Sequence, residues 1–252
     1  NNEMTRDEIE AKFKENNERF VLDEPTHKYK DTVTGEELDS VTTTIIKPLY
    51  DELGWNEVSK KRKDQELYAL QAAFGTAQHN IIQYIIGQNL NTDHSIKNKL
   101  SIVTIDDIKS RGLHNIDSTQ QLDLESGKEA YRIQDVVKDN TILQTIEFVN
   151  NYLTYIKQEY PDAHIFTEQI LYDPNFKTKK GETKLIGTSD VVIILPNGSY
   201  YIHDWKNIST QYGTQFGPVK KEALHSIKKQ AYKEQTVTYG KMIGGNFKQG
   251  VA

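Results

Sequence analysis

The sequence predicts an α/β protein built on an antiparallel three-stranded meander flanked by helices. Three observations predict it. Residues 141–159 carry Ile142, Ile146, Val149, Leu153 and Ile156 on one helical face. Three β-rich runs follow, with Asn197-Gly198 between the second and third, the strongest short hairpin signal. A further helical stretch then runs from about Lys220 to Met242.

Taken in order, residues 5–18 read as a short charged helix. Phe20-Val21-Leu22 and His27-Lys28-Tyr29 flank the turn-rich Asp23-Glu24-Pro25-Thr26, which predicts a small hairpin. The β-branched segment from Asp39 to Ile46 is expected to be extended, with Pro48 as its stop. Residues 57–88 read as mostly helical, with Gly75, His79, Ile82 and Ile86 on one stripe. Residues 91–139 are polar, with only short apolar runs, and read as an insertion longer than an ordinary loop. The expected organisation is an N-terminal hairpin and helical extension over 1–56 and a core over 57–252 that carries the 91–139 insertion. In the meander, His164–Tyr172 and Leu185–Leu195 are the first two strands, separated by a Lys/Gly/Pro turn region over 173–184. The third runs from Tyr200 to Trp205 or Lys206, a Gly/Pro-bearing loop fills 207–219, and a further strand is expected near Gly244–Lys248.

Composition narrows the chemistry. The 252 residues contain no cysteine, which excludes disulfides, thiolate metal sites, Cys-ligated iron–sulfur clusters and a cysteine nucleophile. It also fits a reducing, intracellular (cytoplasmic) setting, including that of a phage- or virus-encoded protein. Apolar residues are 36% of the chain, and no run approaches the roughly 18 needed to span a bilayer, so no membrane partner is expected. The first residues lack a basic stretch followed by an apolar run, so they do not read as a secretory signal. A net charge of −5 argues against non-specific coating of nucleic acid. Neither Gly-x-Ser-x-Gly nor a phosphate-binding Gly-x-x-x-x-Gly-Lys-Ser/Thr occurs.

The acids and one lysine of the meander form the informative constellation. Side chains alternate along a strand, so Asp204 and Lys206 share a face. A turn centred on Asn197-Gly198 brings Asp190 within about one residue of lying opposite Asp204. Two carboxylates placed so repel unless a cation lies between them. Glu168, on the preceding strand, offers a third acid. Hard ions such as Mg²⁺ or Mn²⁺ take such oxygen ligands and can activate a water beside a phosphate. His203 falls on the opposite face and reads as structural, while Tyr200, Tyr201 and Trp205 read as sheet or core aromatics. Asp/Glu-x-Lys alone carries little information, since Glu10-Ala11-Lys12 and Glu182-Thr183-Lys184 also satisfy it.

In its ordered motifs the chain resembles the RecB-like exonuclease branch of the PD-(D/E)XK nuclease superfamily. A helix bearing Gly-Thr-x-x-His in that branch is matched by Gly75-Thr76-Ala77-Gln78-His79. The acidic motifs are matched by Glu168, by Gly187-Thr188-Ser189-Asp190, and by His203-Asp204-Trp205-Lys206. A final helix carrying Gln-x-x-x-Tyr is matched by Gln235 to Tyr239. The resemblance implies a restriction-endonuclease-like core with a mixed sheet, and a metal held by His79, Asp190, Asp204 and the main-chain carbonyl of Trp205. It also implies that Lys206 positions water and that Glu168 supports a second metal or orients neighbouring groups. Gln235 and Tyr239 would face the nucleic acid, and Lys180 and Lys229, from two groups of lysines, are candidate phosphate contacts. The family's iron–sulfur subgroup is excluded by the absence of cysteine. The function so implied is Mg²⁺- or Mn²⁺-dependent hydrolysis of single- or double-stranded DNA, leaving a 5′-phosphate, in recombination, repair or viral DNA processing. Alternatives are an RNA endonuclease of the viral cap-snatching kind and a non-catalytic nucleic-acid-binding module. In each of these readings the chain could belong to a larger polypeptide or to a replication or recombination assembly.

Overall fold

Helical periodicity and strand alternation sort into the expected α/β arrangement. The computed structural model describes residues 3–23, 28–54, 65–124, 127–205 and 229–248. Contacts divide the chain into two compact units, one of residues 1–61 with 162–252 and the other of residues 62–161.

The first unit begins with helix α1 (Arg6–Arg19), whose N-cap Thr5 accepts from the Glu8 amide. Strands β1 (Phe20–Asp23), β2 (Lys28–Asp31) and β3 (Glu37–Leu38) follow as a small antiparallel sheet. Arg19 pairs with Asp31 at 2.8 Å and holds that carboxyl well below the usual range. The expectation of an extended Asp39–Ile46 is corrected. After Ser40 bridges Ile186, the chain turns through a π-helical stretch, Thr42–Ile46, into α2 (Lys47–Glu52). Burial of Val41 and Ile46 outweighs their β preference. Pro48 opens α2 instead of stopping a strand, because the first helical turn needs no N–H there.

The main sheet has the order β6–β7–β8–β9. Strands β6 (His164–Thr178), β7 (Gly181–Ile194) and β8 (Tyr200–His203) form the antiparallel meander, and β9 (Phe247–Lys248) adds to β8 in parallel. The sheet is therefore mixed, and its last strand lies where a further strand was expected. The expected turn region over 173–184 is corrected to a longer hairpin turning at Lys179-Lys180. Its Pro and Gly content reads as loop, yet Pro174 falls at a register shift between Asp173 and Phe176, where no ladder N–H is required. Phe176 is buried, so the outer hairpin has an apolar anchor.

A helix over 229–243, α6, packs on the sheet through Ala231, Tyr239, Met242 and Ile243. From α1, Ile9 and Phe13 join the same core, with the Phe13 and Phe166 rings edge-on at 5.5 Å between centroids. Tyr200 is fully buried and donates its hydroxyl to Gly240 O at 3.0 Å, which ties β8 to the end of α6.

The second unit contains α3 (Gln65–Gln88), α4 (Ile105–Ser110), the hairpin β4 (Asn115–Leu124) with β5 (Gly127–Val136), and α5 (Asp139–Glu159). The five apolar residues expected on one face of α5 are all buried. The stretch expected as an insertion over 91–139 holds α4, with a Thr104/Asp107 capping box, and the hairpin of two ten-residue strands. Its strands left little trace in the sequence because their apolar residues do not alternate in an unbroken run.

Candidate metal centre

Strand register builds the acidic site from three consecutive chain segments. The ladder between β6 and β7 pairs Thr167 with Val191 and Gln169 with Ser189, which puts Glu168 opposite Asp190. The ladder between β7 and β8 pairs Val191 with His203, and one further step puts Asp204 opposite Asp190. In register the three acids thus fall in a row across the strands, with Asp204 one residue beyond the end of β8. One carboxylate oxygen of Glu168 and one of Asp190 lie within 4.8 Å of each other, and both residues are half-buried. Asp204 is buried at 5% exposure.

Two local features shape this row. Asp190 Oδ2 accepts the main-chain N–H of Trp205 at 2.9 Å, which fixes the carboxylate against the chain leaving β8. Glu168 has φ +50°, a left-handed conformation rare for a side-chain-bearing residue, and the regular ladder is interrupted at the Glu168–Asp190 step. Around it, Gln169 is buried and donates Nε2 to Thr167 O at 2.9 Å. Its Oε1 accepts Asn17 Nδ2 at 2.9 Å, and Asn16 of α1 donates to Ile170 O at 3.1 Å. Asn16 and Asn17 were not singled out from the sequence, and no motif marks them; Gln169 was read only as the neighbour of Glu168 in Phe166-Thr167-Glu168-Gln169.

Of the expected helix pair, Gln235 donates Nε2 to the Tyr239 hydroxyl at 3.1 Å, one turn apart. Tyr239 is only 3% exposed and donates to Thr188 O at 3.0 Å, two residues before Asp190. From this position Tyr239 braces β7, and of the two only the half-buried Gln235 retains surface. Burial, reinforced by the negative charge of Asp204, raises the Tyr239 phenol far above its ordinary value. Tyr29 reaches the same residue, its hydroxyl 2.6 Å from Thr188 Oγ1. Burial pushes His203 down to about 4, so it is neutral near pH 7. Trp205 is buried, as expected of a core aromatic.

His79 lies half-buried on α3 in the second unit. Lys180 is exposed at the β6–β7 turn and Lys229 is exposed on α6. Lys206 lies outside the described residues, as do the expected loop over 207–219 and the first part of the following helix.

The donor set suits a hard divalent cation. Facing carboxylates at this separation repel in a half-buried setting, and an ion with oxygen preference offsets that repulsion. No family model, curated protein or solved structure matches the chain. Among the described residues, no helix is long and apolar enough to cross a membrane.

Proposed function

We propose that the protein is a Mg²⁺- or Mn²⁺-dependent nuclease with a restriction-endonuclease-like core of the RecB-like kind, acting on DNA. The observation that carries this reading is the row of Glu168, Asp190 and Asp204, with Glu168 and Asp190 oxygens within 4.8 Å. The order of the Gly-Thr-x-x-His, acidic and Gln-x-x-x-Tyr motifs adds to it. In this reading Glu168, Asp190 and Asp204 hold the ion, and the resemblance implies His79 as a further ligand. When bound, such an ion neutralises phosphate charge and lowers the pKa of water.

The chain's own residues then divide the work. The Trp205 N–H keeps Asp190 oriented, so its carboxylate loses little freedom on binding. Lys206 orients the attacking water and offsets charge building on the phosphoryl oxygens. Water oxygen adds to phosphorus, the P–O3′ bond breaks, one water proton ends on the 3′ oxygen, and the 5′-phosphate remains. Exposed Lys180 and Lys229 contact the nucleic-acid backbone.

A time course with end-labelled single- and double-stranded DNA and RNA, in Mg²⁺ or Mn²⁺, tests this reading. Parent protein is run beside Asp190→Asn, Lys206→Ala and His79→Ala. DNA cleavage should fall by about a hundredfold or more in the first two variants. Faster cutting of RNA than of DNA would favour the RNA endonuclease. A parent that neither binds Mn²⁺ nor cuts would leave the non-catalytic module.

A further inference from the structure

The geometry points to Asn17 and Gln169 as positioning residues that hold Glu168 in its left-handed conformation and so aim its carboxylate at the ion site. This inference rests on the metal-centre reading above. Glu168 departs from strand geometry in the middle of β6, with residues on both sides paired normally to β7. A side-chain-bearing residue with φ +50° persists only where its surroundings enforce it.

The enforcement is visible on both flanks. Gln169 folds back so that its amide donates to Thr167 O, spanning Glu168 with a side-chain bond. Asn17 grips the other end of that amide at Oε1, and its own Oδ1 accepts from the Ile170 N–H at 3.4 Å. Asn16 holds the Ile170 carbonyl. Helix α1 therefore supplies a clamp on β6 from residues more than 150 positions earlier in the chain. Neither Asn17 nor Gln169 is a proposed ligand. They act through Glu168.

Two variants test the assignment. Asn17→Ala trims an exposed side chain and removes the grip on Gln169, and it should fold like the parent. Gln169→Met keeps approximate shape while removing both side-chain bonds. Carbon chemical shifts report the Glu168 conformation, and Mn²⁺ titration reports affinity. In both variants Glu168 should move toward extended values, and the Mn²⁺ dissociation constant should rise by about tenfold or more. The metal-free melting temperature of Asn17→Ala should change little, because lost hydrogen bonds are offset by relief of the left-handed residue. A Glu168 that keeps its positive φ in both variants overturns the inference whatever the ion does. So does a Glu168 that reverts while Mn²⁺ binds as tightly as before. If the parent binds no Mn²⁺ but Glu168 still reverts, the clamp stands and the metal-centre reading falls.

Discussion

The main-chain N–H of Trp205 donates to Asp190 Oδ2 at 2.9 Å, so the backbone leaving one strand clasps an acid of its neighbour. That bond steadies Asp190 while Glu168 faces it from the other side. Without a cation, this geometry places two carboxylates in mutual repulsion across a strand pair.

Glu168→Gln should therefore stabilise the metal-free protein by about 0.2–1 kcal/mol, the usual scale for relieving like charges across a ladder. The same change should reduce protection by Mn²⁺, which for the parent amounts to about 2.7 kcal/mol at a hundred times the dissociation constant. Thermal denaturation with and without Mn²⁺ checks both. A variant that is less stable without metal yet gains as much from Mn²⁺ would show that the two acids do not share an ion.

Gly187→Ala should destabilise the protein by about 1–3 kcal/mol, the range for overpacking. An added methyl would sit 2.9 Å from Tyr239 Cε1 and 3.0 Å from Val41 Cγ2, and both neighbours are buried. Tyr239 cannot retreat without stretching its bond to Thr188 O. Urea denaturation gives the change, and unaltered stability would mean that the ring can move.

Tyr239→Phe should cost about 0.5–1.5 kcal/mol through the lost hydroxyl bonds. Because the buried phenol resists ionisation, alkaline absorbance titration of the folded parent should show fewer than its 14 tyrosines ionising before unfolding. All 14 titrating in the folded state would contradict the burial of this ring.

Stability should fall as pH drops from about 6.5 to about 4, with His203 as one contributor. The folded imidazole binds its proton less readily than the unfolded one, whose pKa is about 6.5, so protons favour unfolding in that window. The loss amounts to as much as about 3 kcal/mol and levels off below the folded value. His203→Gln should flatten this part of the profile. Denaturant midpoints measured between pH 4 and 7 provide the comparison.

The long amphipathic helix and the Asn197-Gly198 hairpin were legible because each repeats one simple signal. Burial alternates cleanly along Tyr200–His203, and the turn fixes the register that sets Asp190 beside Asp204. The helical turn over Thr42–Ile46 was not legible, since five β-branched residues carry no mark of the burial that bends them. Nor was the β4–β5 hairpin, whose apolar residues do not alternate in an unbroken run. Within the site, the acids could be found by type and spacing. The left-handed Glu168 and its asparagine clamp could not, because they depend on a helix that meets β6 only in three dimensions.

Strand β9 joins β8 in parallel, and Asn246 Nδ2 meets Ser199 Oγ across 47 positions of chain. During synthesis the three meander strands leave the ribosome first and can pair locally. The outer edge of β8 and the ring of Tyr200 gain Gly240 and Phe247 only much later. For that interval a nascent chain offers an open strand edge beside an uncovered aromatic, the combination that invites pairing with another molecule. Translation pauses over residues 205–240 should therefore lower the soluble yield more than pauses before residue 164.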